Sequence, residues 1–172
     1  MKFSNNRGNA AVIIIVIFLA GIVMFIFPLM TMADKKDDVS NLQAQQIVTE
    51  YVNKWRTKGV MTAEDIDNLT SSLAATGRAY DIVYAVQVLD SNPSKKTSTP
   101  TVKIGDNVYY VLYPTQIDEM LPLTLKEGDI VSLTATTIDE SIADQLKSWA
   151  YRVTGNDSSV VQDSGIVTTT VK

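Results

Sequence analysis

The longest apolar run of the chain extends from Ala10 to Met32 and contains no charged residue. At about 1.5 Å per residue a helix of this length measures about 34 Å, and the hydrocarbon core of a bilayer is about 30 Å thick. A backbone in lipid must satisfy its own hydrogen bonds, so a segment of this kind is helical. A helix of a soluble protein keeps one polar face, which this run lacks. The pattern therefore predicts a transmembrane helix over residues 10–32.

The pattern changes after a short charged stretch, Asp34 to Asp38, but no glycine or proline interrupts the chain there. Apolar residues then recur at the spacing that is typical of an amphipathic helix. They are Val39, Leu42, Ile47, Val48, Tyr51, Val52 and Trp55. We therefore expect one helix over residues 9–58, about 75 Å long, with half of it in lipid and half projecting outward.

Two residues inside the apolar run have special backbone properties. Pro28 removes one backbone hydrogen bond, and we expect it to bend the helix without ending it, because membrane helices tolerate proline. Gly21 is a candidate point of close packing against another helix, although a tolerated glycine is the simpler interpretation because no second small residue follows four positions later.

Shorter helical and strand patterns follow Gly59, which we expect to end the long helix. Thr62 is a suitable N-cap for a second helix that Gly77 closes. Residues 140–154 predict a third helix. Trp55 and Trp149 lie on the apolar faces of their helices, and we expect both to pack in a core.

The strand patterns complete an α+β fold. Runs rich in β-branched and aromatic residues, or alternating in polarity, predict strands; they cover residues 80–89, 130–138 and 165–171, with a hairpin formed by 101–104 and 108–113. Between them we expect a polar loop over residues 91–100 and an irregular segment with a helical turn near 116–121. The fold class is therefore a long N-terminal helix followed by a small exported domain, residues 59–172, with a mainly antiparallel sheet and two further helices.

Charge is distributed unevenly around the apolar run. The leader, residues 1–8, has two basic residues and no acid, whereas the chain after Ala33 has 13 basic and 19 acidic residues, a net charge of 13 − 19 = −6. The positive-inside tendency then predicts a single-pass protein with a cytoplasmic N-terminus and an extracytoplasmic C-terminal domain. An acidic domain offers no electrostatic footprint for nucleic acid.

The residue types argue against an enzyme and against a metal site. The chain contains no cysteine and no histidine, so thiolate ligands, disulfides and the commonest general base are all missing. Acidic residues occur together at three places, two of which are explained by helix N-termini; the groups are Glu64, Asp65 and Asp67, then Asp118 with Glu119, then Asp139 with Glu140. We expect no catalytic residue, no cofactor and no bound metal.

The leader and the start of the apolar run resemble a known family. Arg7, Gly8 and Asn9 are followed by Ala10-Ala11-Val12-Ile13-Ile14, an order similar to that of Tad-type (TadE-like) pseudopilins and other type IV pilin-like proteins. The resemblance implies that prepilin peptidase cuts between Gly8 and Asn9. It also implies a minor subunit of a Tad or type IV pilus-like filament or secretion apparatus, which contacts other pilin-like subunits through its N-terminal helix at the membrane or cell surface.

One position departs from this resemblance, because Ile13 stands where the family carries glutamate. The alternative is therefore an uncleaved, signal-anchored envelope protein that serves as an accessory binding subunit of a secretion or conjugation machine. In a variant of this alternative, the chain is cut after Ala33, although the apolar run exceeds the usual length of a signal peptide core. An enzyme in which carboxylates near residues 118 and 139 meet in a cleft is a third hypothesis.

Overall fold

The structure, a computed structural model, describes residues 7–89, 109–151 and 158–170. The predicted leader up to residue 6, the loop at 91–100, the strand at 101–104, the end of the last helix at 152–154 and residue 171 lie outside these residues. The described residues form two compact units, one of residues 7–38 and 140–151, the other of residues 39–89, 109–139 and 158–170.

The fold is α+β, which confirms the predicted class. A long N-terminal helix precedes antiparallel strands and three shorter helices in the described part of the chain. The elements in order are α1 Arg7–Lys58, β1 Val60–Met61, α2 Ala63–Ala74, β2 Tyr80–Leu89, β3 Tyr109–Leu112, α3 Pro114–Met120, β4 Leu123–Thr124, β5 Ile130–Thr137, α4 Ile142–Tyr151 and β6 Val160–Ile166.

Four strands form one antiparallel sheet in the order β3-β2-β5-β6, and β1 pairs with β4 in a separate two-stranded ribbon. In the central pair, Tyr84 of β2 lies opposite Leu133 of β5, and Leu133 lies opposite Asp163 of β6. Residues that lie directly opposite each other in neighbouring strands point to the same face of the sheet. The register therefore assigns Tyr84 and Leu133 to the same inner face.

The core of the second unit lies between this inner face and the helices. Buried residues recur every three or four positions along the second part of α1, as an amphipathic helix requires. The core cluster comprises Ala44, Val48, Tyr51, Val52 and Trp55 of α1, Leu69 and Leu73 of α2, Ile117 of α3, Tyr84 and Val86 of β2, and Val131, Leu133 and Ala135 of β5, with Met61, Leu123, Leu125, Val161 and Val167. Trp55 has no hydrogen-bond partner on its buried Nε1 in the described part of the chain. Trp55 therefore packs in the core, which confirms the prediction for this residue. The prediction for Trp149 falls on a side chain that lies outside the described residues.

Local capping explains where the helices begin and end. Gly59 has a φ of 68° and its N–H donates to Trp55 O at 2.8 Å, the left-handed turn that ends α1. Thr62 accepts a hydrogen bond from the Asp65 N–H at 3.2 Å and so caps α2 as predicted. Ser141 and Asp144 cap the start of α4 reciprocally, since each side chain accepts the backbone N–H of the other.

The last strand was predicted at the wrong place. It covers Val160–Ile166, whereas the sequence pattern indicated 165–171. Gln162, Asp163, Ser164 and Gly165 have low strand propensity, but pairing with the central strand β5 overrides it. The β-branched residues that follow are not a strand; Thr168 instead donates its N–H to Arg56 O at 3.0 Å, at the end of α1.

Candidate functional site

The apolar segment of α1, Ala10 to Met32, exposes its side chains around the whole helix. Phe18 is 70% exposed and Met24 is 77% exposed, and Met30, at 8%, is the buried exception. By length and composition α1 is the one helix in the described part of the chain that could cross a membrane. Exposed apolar surface on this scale marks a contact with lipid or protein rather than a face for water.

Pro28 does not end the helix, because α1 continues through it to Lys58. Proline has no N–H, so the carbonyl of Met24, four residues earlier, loses its usual donor. One turn later the Thr31 hydroxyl donates to Phe27 O at 3.0 Å, which satisfies its polar group within the helix. The segment therefore carries one carbonyl without a helical donor in an otherwise apolar surface.

Gly21 has open space beside it. A methyl group built on its Cα meets no other atom within 4 Å. Nothing in the described part of this chain therefore uses Gly21 for close packing. A packing role for Gly21 requires a helix of another molecule.

The predicted cleavage site lies at the very start of α1. Gly8 and Asn9 are the second and third residues of the helix Arg7–Lys58. The first N–H groups of a helix have no partner within it, so its first turn unwinds readily. The bond between Gly8 and Asn9 therefore lies in the turn of α1 that unwinds most readily.

The three acidic groups lie apart and each is engaged with the fold. Asp118 accepts a short hydrogen bond from the Tyr84 hydroxyl, and Asp139 accepts one from Arg78 Nε at 3.3 Å. Asp65 forms an ion pair with Lys54. No group of three or more acidic residues that could hold a metal ion occurs in the described ranges. Asp118 and Asp139 are thus each held by a side chain of a different strand or loop, and the hypothesis of an enzyme remains a prediction.

The ion pair between Lys54 and Asp65 joins the second part of α1 to α2. Burial by itself raises the pKa of Asp65, but hydrogen bonds from Lys54 and Thr62 outweigh it and the pKa is lowered. The hydrogen bond to Asp65 raises the pKa of Lys54, whose Nζ also lies 5.1 Å from the centre of the Tyr51 ring. Both groups are charged at neutral pH, so this ion pair is a structural contact between α1 and α2.

A second polar contact joins α3 to the sheet. Tyr84 is buried on the inner face of β2, and burial raises the pKa of its hydroxyl. The Asp118 carboxylate, which accepts a hydrogen bond from this hydroxyl, raises the pKa further. A phenol with a raised pKa stays protonated and donates its hydrogen bond over the whole physiological range. Tyr84 therefore holds α3 in place.

Two residues with structural roles escaped the sequence analysis. Asp129, which directly precedes β5, is 2% exposed, and its carboxylate accepts N–H groups from Leu89 at 3.0 Å and Lys126 at 2.8 Å. Aspartate side chains in turns often accept hydrogen bonds from nearby backbone N–H groups. The Gly128-Asp129 pair before β5 was therefore the feature of the sequence that could have predicted this role. Arg56 reaches across to β6, and no local pattern marks this contact.

Comparison of the chain with known protein families, with curated proteins and with solved structures finds no match.

Proposed function

We propose that this chain is a minor pilin-like subunit, a pseudopilin, of a Tad or type IV pilus-like filament or secretion apparatus. In this proposal α1 anchors it in the membrane with the N-terminus in the cytoplasm and the α+β domain outside. The role is structural and not catalytic. One observation carries the proposal: a single helix contains both an uncharged segment with exposed side chains and a second part buried in the core of a domain.

The leader supports the same proposal. Arg7 and Gly8 directly precede the apolar run, as in the prepilin peptidase sites that the sequence resembles. The position of Gly8 and Asn9 in the first turn of α1 supports access by a peptidase, because little structure must unwind. The excess of acidic residues after Ala33 supports export of that part.

The decisive experiment is the intact mass of the membrane-extracted protein from cells with and without prepilin peptidase. A subunit of the proposed class begins at Asn9 when the peptidase is present and at Met1 when it is absent. Gly8→Val should block the cut because it enlarges the residue before the scissile bond, and Ala11→Val is the matched control that should leave it unchanged. A mature chain beginning at Met1 in both strains contradicts the proposal.

A second candidate is an uncleaved, signal-anchored subunit of a secretion or conjugation machine. Ile13 favours it, because the resemblance would place glutamate there. This candidate keeps Met1 in both strains and stays in the membrane fraction when surface filaments are sheared off. A chain recovered from the medium that begins at Asp34 would instead indicate a cleaved signal peptide.

Ile13→Glu separates the two candidates further. In a pilin-like subunit the glutamate should increase the amount of protein in the sheared surface fraction. In an anchored monomer it should not, and the charge costs insertion energy instead. Val16→Glu, one turn further into the apolar run, is the control for the charge alone.

A further inference from the structure

Among the strands of the described ranges, β6 is the last of the four-stranded sheet and pairs with β5 alone. Val167 donates its N–H to Asp129 O at 2.7 Å, and Thr137 donates its N–H to Ser159 O at 2.9 Å. In an antiparallel pair these bonds repeat at every second residue, so the odd-numbered residues of β6 face β5. The backbone N–H and C=O groups of residues 160, 162, 164 and 166 therefore point to the outer edge of the sheet.

Side chains and the end of α1 occupy part of this outer edge. Arg56 donates from Nε to Ile166 O at 3.0 Å, and the carbonyl of Arg56 accepts the N–H of Thr168 at 3.0 Å. Asp163 accepts the N–H of Ser164 on Oδ1 at 2.8 Å. Three neighbouring backbone groups that point outward are thus engaged within the chain.

Gly165 gives the Arg56 side chain its path across β6. A methyl group at Gly165 would lie 2.7 Å from Cδ and 2.9 Å from Nε of Arg56, closer than such contacts can be. Asn53 holds the far end of the guanidinium, since its Oδ1 accepts from Nη1 at 3.2 Å. A side chain at Gly165 would therefore displace Arg56 from the edge.

We propose that Arg56 and Asp163 keep the outer edge of β6 from pairing with β6 of a second copy of this chain. An exposed edge strand is a template for another strand, and natural proteins block such edges with charged side chains. A second copy is the fitting partner because an antiparallel strand pair is self-complementary about a two-fold axis. In the register with Gln162 at that axis, the two copies of Gln162 lie directly opposite each other, and Val160, at 57% exposed, is covered by the partner strand. This inference does not depend on the proposed pilin-like function.

The absence of cysteine from the sequence permits a direct test. Gln162→Cys places a single thiol on β6, and the full chain is oxidised mildly in bilayers. We expect little disulfide-linked dimer in this background, and a severalfold larger dimer fraction when Arg56→Ala, Gly165→Ala or Asp163→Ala is added. Arg56→Ala removes the guanidinium, whereas Gly165→Ala retains it and only moves it.

The matched control is Ala74→Cys, an exposed position at the end of α2. Its dimer fraction should stay unchanged in the same variants, because α2 takes no part in the pairing. A rise at both cysteines, or at neither, overturns the proposal. Far-UV circular dichroism of each variant checks that the fold is intact. If Arg56→Ala and Gly165→Ala both unfold the domain, the dimer fraction of Asp163→Ala tests the proposal by itself.

Discussion

The two parts of α1 share one backbone conformation but meet different surroundings. In Ala10 to Met32 apolar side chains cover the whole circumference and nearly all are exposed, whereas from Ser40 onward the apolar side chains lie mainly on one buried face, with Leu42 as the exposed exception. The first part has no charged residue, and the second carries charged residues on its exposed side. Helix formation alone therefore does not show whether a segment packs in the core of a domain or exposes apolar side chains all round. The angular width of its apolar surface does.

The two parts also differ in where their stability comes from. The second part gains its free energy by packing against the sheet, in the same cluster as Leu133 and Val131. The side chains of the first part are mostly exposed, and Met30 is its single buried residue. If lipid is its solvent, substitutions in it change membrane insertion and leave the stability of the domain alone. Matched substitutions in the two parts test this division.

The largest effect is expected from charges placed in the first part. Ile15→Arg combined with Leu19→Arg costs about 5–7 kcal/mol of insertion free energy, because each arginine at the centre of a membrane helix costs about 2.5–3.5 kcal/mol. The protein should then be lost from the carbonate-resistant membrane fraction. Leu42→Arg with Gln46→Arg, at the same four-residue spacing on exposed positions of the second part, is the control. Equal loss in both double variants would contradict a membrane role confined to the first part.

The next effect reverses the comparison by removing an aromatic side chain from the second part. Trp55 is fully buried, and Trp55→Ala should lower the free energy of unfolding of the domain by about 3–5 kcal/mol through the lost contacts and the cavity. Phe18→Ala, in the first part, should leave that free energy unchanged within about 0.5 kcal/mol. Denaturant unfolding in detergent, followed by far-UV circular dichroism, measures both. A large loss for Phe18→Ala would mean that the first part packs against the domain.

A smaller loss of stability is expected when the ion pair between Lys54 and Asp65 is broken, a charged contact that the first part of α1 lacks. Asp65→Asn removes the partner of Lys54 and should cost about 0.5–1 kcal/mol at neutral pH, because Asp65 is mostly buried but the Lys54 side chain, 29% exposed, keeps access to water. The lowered pKa of Asp65 means that its contribution is complete above about pH 4 and disappears as the pH falls through the folded-state value.

The raised pKa of Lys54 means that its contribution is complete below about pH 10.4 and disappears as the pH rises above that value. Unfolding of the parent and the variant at pH 7 and pH 3 checks the sign at the acidic end. The difference between the two proteins should be smaller at pH 3 than at pH 7. A difference that is undiminished at pH 3 would show that Asp65 acts through packing instead.

The sequence predicted those parts of the fold that local pattern determines. The end of α1 at Lys58, the Thr62 cap and the strands β2 and β5 follow from periodicity and capping chemistry, which act over a few residues, whereas α1 begins at Arg7, two residues before its predicted start. Strand β6 was displaced because its polar residues become a strand only through pairing with β5. The contact between Arg56 and Ile166 spans 110 positions, so no short-range rule reveals it.

The candidate site divides in the same way. The apolar run is a property of composition, so the sequence alone locates it and the structure adds that its side chains are exposed. The acidic groups could be found in the sequence but not their partners, because Tyr84, Arg78 and Lys54 come from distant elements. The buried position of Asp129 depends on two backbone N–H groups, one of them 40 positions away. Pilin-like assembly involves other molecules, and it remains a prediction.

The smallest effect on domain stability and membrane retention is expected from a substitution at Gly21. Any other change in this variant can therefore be assigned to contacts with another molecule. Because a methyl group there meets no atom within 4 Å, Gly21→Ala should change neither the unfolding of the domain nor membrane retention measurably. Gly59→Ala is the contrasting control: its φ of 68° should cost about 1–2 kcal/mol of domain stability. Any loss of sheared surface protein in Gly21→Ala would then come from a helix of another subunit that approaches this glycine closely, since this chain leaves the space open. An unchanged surface fraction would instead assign Gly21 to the lipid-facing side of the first part.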